Sequence, residues 1–428
     1  MPVRTDSRTG VYILAVLVYL IFIPGQFSVT LFSIFLTPLR VFILVLSPFI
    51  LREVVRGRLR FTTPDFCLIV VAGWIALASY MNSGELEKAF QQGGSHLVDI
   101  TLAYFIARVC IKTPRDLRLL LILTAPGVLI QGLIVFQEAV THQRLLQPFA
   151  TSLTGSVNPL RDEARLGLMR GAASFPHPIL AGIFLASLLP IYLLSGLRSW
   201  PKWAGIIAAI CAFFTMSSAA LLGLIFGAIL AAYDWLTEQI RNVTWQLLLA
   251  FGAVVYFVIE MLSNTGFYGL LVRYASLNTA SAYNRVLIWR FGTDNIAEHP
   301  WFGIGYDDWV RPSWMHSDSF DHFWLIMALR FGIPASLLLI IALLVALVMV
   351  ARSSLFANPV DARLLRGVAI SLGVFALGVN SVSMWQGILV WFFVLFGVAV
   401  SLGVYRPSPD RSMVRATPPR AAAPAVAN

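Results

Sequence analysis

Charge is what this chain has least of, and that scarcity decides its class. Only 12% of its 428 residues are Asp, Glu, Lys or Arg, against about a quarter in a soluble domain. A surface so poor in charge cannot face water, which excludes a soluble globular protein and leaves an integral membrane protein. Lysine is nearly missing: Lys88, Lys112 and Lys202 are the only three. Cysteine is as rare. Cys67, Cys110 and Cys211 all fall inside apolar runs, which excludes a disulfide framework and makes them small buried hydrophobes. A basic soluble segment is also lacking, so the formal charge of +10 does not point to nucleic acid. It points to the basic cytoplasmic loops of a membrane protein. After Arg4 and Arg8 no small-residue cleavage site follows, so the first apolar run is expected to persist as a span.

What is abundant is apolar length. Apolar residues make up 58% of the chain and mean hydropathy is +0.79. Helical spans need runs of roughly 17–25 residues. About twelve apolar runs are read as spans, four of them a little shorter than that: 11–35, broken near Pro24-Gly25, then 38–51, 66–81, 96–111, 118–140, 177–196, 203–216, 218–234, 245–262, 320–351, 365–382 and 386–404. The break at Pro24-Gly25 also allows 27–36 to be a separate short or re-entrant piece. Without period-2 alternation these runs are helices, because lipid offers the backbone no hydrogen-bond partners. The expected fold is an all-α polytopic membrane protein, one domain over 1–405. The tail 406–428, rich in Pro, Ala and Arg, is expected to be disordered and cytoplasmic.

Every second loop is basic. Arg52, Arg56, Arg58 and Arg60 follow the second span, Lys112, Arg115 and Arg118 the fourth, Arg198 and Lys202 the sixth. Arg241 follows the eighth, and Arg352, Arg363 and Arg366 the tenth. The positive-inside rule puts these loops and both termini in the cytoplasm. Two long loops, about 141–176 and 263–319, then lie outside. They too carry arginine: Arg144, Arg161, Arg165 and Arg170 in the first, Arg273, Arg285, Arg290 and Arg311 in the second. Long translocated loops escape the charge rule, so any one of these can be a solvated surface residue. Eight arginines without a lysine suit phosphate better, since the guanidinium fork matches its oxygens.

The second loop and the start of the next span form the longest polar interruption. Ser281 is expected to cap a helix running to about Glu298, with Arg285 and Trp289 on one face at the membrane interface. Asp318 is expected to cap the next helix, with His322 four residues on over the same face, a base beside its orienting partner. The bland alternative is a capping Asp beside an interfacial His. Gly332-Ile333-Pro334 should break this span, leaving 320–331 tilted along the interface and Arg330 near the site. Arg40 at the outer start of the second span is a further candidate. So is His177 in Phe175-Pro176-His177-Pro178.

At these residues the chain resembles the O-antigen ligase and polymerase (Wzy-type) superfamily. Arg285-x3-Trp289 followed by His299-Pro300-Trp301-Phe302-Gly303-Ile304-Gly305 resembles its large-loop motif. Asp321-His322-Phe323-Trp324-Leu325 through Arg330-Phe331-Gly332-Ile333-Pro334 resembles the segment after that loop, and 167–182 a variant of exopolysaccharide members. The resemblance implies a GT-C-like glycosyltransferase architecture with a large helical periplasmic loop in the bacterial inner membrane. It implies transfer of glycan from a polyprenyl diphosphate to another glycan's hydroxyl, without metal or other cofactor. Flippase and chain-length regulator proteins are its expected partners. It implies a His base, His322 or His316 here, and points to Arg285 as catalytic, with Asp318 added as the orienting partner from its own spacing. Arg165, Arg170, Arg290, Arg40, His177, Trp289, Arg330 and Asp321 would contact substrate. The pattern departs from the family twice: Ser218 stands where an Arg is common, and Asp321-His322 where His-Asn is common. Arg165 or Arg170 is expected to replace the missing arginine.

Polymerase and ligase differ in acceptor, which these motifs do not encode. A transporter is the non-enzymatic alternative, but its polar site would sit near the midplane between broken helices. A zinc site from His299, His316 and His322 matches no standard spacing. Cysteines placed singly at Ser156 and Ser313 should react with an impermeant thiol reagent in outer-permeabilised cells, while one at Gly57 should not. The reverse pattern would overturn the topology.

Overall fold

The computed structural model describes residues 7–406 except 32–33, 58, 159, 161, 264–265, 267–268, 270–278 and 316. The tail from 407 onward, Arg58, Arg161, Arg273 and His316 therefore lie outside the described residues. Helices dominate: α1 (Ser7–Ile21), α2 (Pro38–Val55), α3 (Thr63–Ser83), α4 (Leu86–His96) and α5 (Ala103–Cys110) open the chain. A π-helical turn, Leu97–Leu102, joins α4 to α5. Next come α6 (Pro114–Thr141), the short α7 (Leu146–Thr154), α8 (Pro178–Leu194), α9 (Trp200–Ile210), α10 (Ser218–Gln239) and α11 (Trp245–Leu262). The last are α12 (Thr279–Glu298), α13 (Phe323–Phe331), α14 (Ile333–Ser354), α15 (Pro359–Gly378) and α16 (Gln386–Gly403). Starts are written into the sequence. Thr113 caps α6 with a reciprocal Asp116, and Asn358 caps α15, each with Pro in the first turn, where no N–H is missed.

Two helices are apolar all round and form the centre, as such helices must. Residues Ile388 to Gly403 of α16 are buried throughout, as are Leu180 to Tyr192 of α8. Around α16 pack α5, α14, α15 and α1, and around α8 pack α9, α10 and α15. Among the described residues seven helices are long and apolar enough to cross a membrane, and α1, α8 and α9 are shorter apolar helices. This is consistent with a polytopic membrane protein, with fewer full-length spans than the twelve expected. The segment after Pro24-Gly25 does not continue the first helix but forms the separate short piece that the break allows. It is an antiparallel hairpin, β1 (Val29–Leu31) with β2 (Ile34–Leu36), because the alternation Val29, Leu31 against Ile34, Leu36 suits strands.

The helices run up and down, so alternate loops gather at opposite ends. At one end the basic loops are tied by ion pairs. Arg118 reaches Asp361 at 2.6 Å and Arg366 pairs with Asp234 and Glu238. The deepest is Arg108, whose Nε and Nη2 donate to the two Asp65 oxygens at 2.8 and 2.9 Å. Tyr104 and Thr62 also donate to Asp65, so every charge is matched. Asp65→Ala would strand a buried guanidinium, a loss of about 3–5 kcal/mol. Its thermal unfolding midpoint in detergent should fall well below that of Arg363→Ala, whose side chain is 47% exposed; equal midpoints would refute the assignment.

Candidate functional site

At the other end, one buried carboxylate shapes the loop between α6 and α8. Glu138, in the last turn of α6, is fully buried. It accepts the backbone N–H groups of Ala172 and Ala173 at 2.9 and 3.0 Å, and that of Leu145 at 3.3 Å. Arg144 pairs with it at 3.5 Å and donates to the Arg170 carbonyl at 3.3 Å. The loop is thereby folded back over the bundle. Between these anchors it forms a second hairpin, β3 (Ala164–Arg165) with β4 (Leu168–Met169). Its two turn residues, Leu166 and Gly167, have φ of 51° and 78°, the left-handed pair that a tight hairpin needs.

The hairpin delivers Glu163, Arg165 and Arg170 to a cavity of about 910 Å³. Arg285 and Asn284 enter it from α12, His177 from the start of α8, and Asp318 and Asp321 from the loop before α13. Gln26, Asn158, Trp385 and Gln386 complete a neutral wall. All these groups sit at helix ends, so the cavity opens at the end of the bundle opposite the basic loops.

The electrostatics are dominated by arginine. Arg170 is 4% exposed. Its Nη1 donates to Glu163 Oε2 at 2.8 Å, whereas Nε and Nη2 are sealed from solvent with no hydrogen-bond partner among the described residues. Two unmatched donors on a buried cation are costly, and negative charge brought into the cavity would offset that cation's charge. Burial, then the neighbouring Arg165, push Arg170 down from its ordinary pKa, against the pull of Glu163; arginine nonetheless stays charged. Burial works to raise the Glu163 carboxyl, but Arg170 above all, with Arg165 and His177, holds it below the usual range. His177 accepts the Ile179 N–H through Nδ1 at 3.1 Å and so caps α8. Burial, reinforced by Arg170, pushes its ring down to about 4, so it is neutral at pH 7.

Arg165, Arg170, His177, Arg285, Asp318 and Asp321 thus meet in one cavity. Arg165 also donates to the Met216 carbonyl at 3.2 Å, which brings a guanidinium to the Thr215–Ser218 stretch that lacks one. The other expected residues stand apart from the lining. Arg40 is held by Asp99 at 2.5 Å and by the Phe35 carbonyl at 2.7 Å. Arg330 lies 4.4 Å over the Tyr306 ring. Arg290 stacks on Phe291, and Trp289 is 40% exposed beside His322. The expected Asp318 cap is corrected: His322 itself is the N-cap of α13, its Nδ1 accepting the Leu325 N–H at 3.2 Å. Residues 317–322 are loop, because Phe320 is drawn aside into contact with Gly292 and Trp309. Asp318 and His322 therefore share no helix face. Burial pushes the His322 ring down to about 4. Among the described residues no three His, Cys, Asp or Glu side chains stand together as a metal site.

The glycine motif is a weld. Ile304 and Gly305 donate to the Leu329 and Arg330 carbonyls at 2.8 and 3.0 Å, and Ile333 to that of Pro300 at 2.8 Å. Gly332, at φ 85°, leaves no room for a Cβ, which would meet the Trp301 oxygen at 1.8 Å. The end of α12 is thus fixed to the break between α13 and α14.

Residues 203–340 match the family model described as O-Antigen ligase. Over this segment, about a third of the chain, the protein is similar to that family. The match supports the resemblance to the O-antigen ligase and polymerase superfamily, and it covers α12 and the weld. It contains Arg285, Asp318 and Asp321, whereas Arg165, Arg170, His177 and the neutral wall lie outside it. No curated protein matches the chain. Sequence reasoning missed Glu163, Gln26, Asn158, Trp385 and Gln386, which line the cavity outside the matched segment. Only Glu163 carried a signal, the charge run Arg161-Asp162-Glu163-x-Arg165.

Glu163→Gln leaves Arg165 and Arg170 without their shared carboxylate. Because Glu163 is 46% exposed, the loss of stability is screened to about 1 kcal/mol. Inorganic pyrophosphate should raise the thermal unfolding midpoint of the variant more than that of the native protein. An equal rise would show that Glu163 does not compete with the anion for Arg165 and Arg170.

Proposed function

We propose that the protein polymerises glycan repeat units carried on a polyprenyl diphosphate, for an exopolysaccharide or O-antigen, at the periplasmic face of the inner membrane. The observation that carries this reading is the convergence of Arg165, Arg170 and Arg285 on one cavity at a bundle end, with two Arg170 donors unmatched. A hydroxyl of one glycan attacks the anomeric carbon of the other, and the lipid diphosphate leaves with the bonding electrons. Fixed guanidinium donors stabilise charge that grows as the bond breaks, and so act on the transition state more than on the ground state. This is why the proposal assigns the reaction no metal. Both termini and the basic loops are taken as cytoplasmic, which the ion-paired end opposite the cavity supports. The family description favours a second reading, ligation of finished glycan to another acceptor, through the same diphosphate site.

Loss of long chains with single repeats retained in a deletion strain would support polymerase; long free glycan with unmodified acceptor would support ligase. In that strain Arg285→Ala should lower chain assembly roughly 10²–10³-fold, the effect of removing one preorganised donor. Arg285→Lys should recover little, since it keeps the charge and loses the fork. Normal chains from well-expressed Arg285→Ala would put the diphosphate elsewhere.

A further inference from the structure

Resting on that reading, we infer that Asp321 is the general base that takes the proton of the attacking hydroxyl, and that His322 is a structural cap. The transfer needs an acceptor for one proton inside the cavity. A base must come within hydrogen-bond reach of that hydroxyl, so groups outside the lining are poorly placed. His322 is outside it, buried, with Nδ1 engaged in capping α13.

Among the described residues four titratable proton acceptors line the cavity: Glu163, His177, Asp318 and Asp321. Glu163 is committed to Arg170 at 2.8 Å, with Arg165 at 3.7 Å. Against the effect of burial, those arginines hold its carboxyl below the usual range, which makes it a weak proton acceptor. His177 caps α8 through Nδ1 beside Arg170, and becoming a cation there is opposed. Asp318 is exposed and open to water. Asp321 differs from all three. It is half-buried, forms no ion pair within 4 Å among the described residues, and faces the cavity with only Ser319 Oγ close, at 3.4 Å. Burial pushes its carboxyl up, while Arg285 and Ser319 oppose that rise. Burial therefore makes it a stronger proton acceptor than an exposed carboxylate, while Arg285 opposes its protonation.

The step balances. The acceptor oxygen bonds to the anomeric carbon and its proton passes to an Asp321 carboxylate oxygen. The bond from that carbon to the diphosphate oxygen breaks, and the electron pair leaves with the diphosphate toward Arg165, Arg170 and Arg285. Asp321 then returns the proton to water or to the departing diphosphate.

The test uses full-length protein in membranes of the deletion strain, which hold its accumulated lipid-linked repeats. Asp321→Asn should lower chain assembly roughly 10²–10⁴-fold, the range for loss of a general base. It should still give the thermal shift with inorganic pyrophosphate. His322→Asn keeps a capping side-chain oxygen but no titratable group, and should retain most activity. Asp321→His should recover part of the rate, with the acid limb of the pH profile moved toward about 6.5, the ordinary imidazole value. A structural role would not move that limb. The inference is overturned if Asp321→Asn assembles chains while His322→Asn does not, or if Asp321→Asn also loses the pyrophosphate shift. An unmoved limb in Asp321→His overturns it as well. If native protein shows no pyrophosphate shift and Arg170→Ala and Arg285→Ala assemble normal chains, the diphosphate reading fails instead.

Discussion

The cavity depends on one buried carboxylate receiving backbone amides. Glu138 sits where lipid-facing helix gives way to loop, fully out of water. Its charge is tolerable there because three N–H groups and Arg144 point at it. A buried ion so matched fixes its neighbours as strongly as it would destabilise them if left alone. The chain after α6 is therefore folded inward over the bundle, and the hairpin between Arg144 and Ala172 has one place to go. Arg165, Arg170 and Glu163 inherit their positions from that anchor.

A second anchor fixes the facing wall. The turn through Gly303 and Gly305 is hydrogen-bonded to the break at Gly332, so α12 cannot slide along α13. Arg285 is held on the first anchor's opposite side by the second. Two rigid walls with unequal charge are what a diphosphate leaving group requires, since donors already in place need no reorganisation when charge develops. The neutral wall differs in kind. Gln26 donates to Gln147 at 2.7 Å, and Gln386 holds a left-handed φ of 52° against Gly25. A strained residue lining a cavity is retained where the surroundings over-determine it. Amides and Trp385 there offer the neutral hydrogen bonding and flat apolar contact that suit a sugar.

Much of this was legible in the residues. Arginine without lysine in two outer loops marked Arg165, Arg170 and Arg285. The Pro and Gly positions marked the turn after α12 and the break at Gly332. Helix existence followed from apolar length, although several helices are shorter than their apolar runs, since the ends are spent on caps and turns. The cap of α13 was misplaced. Asp318 is a good capping residue locally, but Phe320 finds an apolar site beside Gly292 and Trp309, and that burial outweighs one extra helical turn.

The sequence by itself determined the class, the helices, the alternation of basic loops and the residue types of the site, because composition and periodicity act within one segment. It also marked the break at Gly332, since a glycine at positive φ is a local requirement. Tertiary structure alone decided which arginines share a cavity and which are neutralised, as Arg40 is by Asp99. It alone turned His322 into a cap and brought Asp321 to the lining. Those outcomes depend on carboxylates and carbonyls from segments far apart in the chain, and a charge's role is set by the partners that reach it.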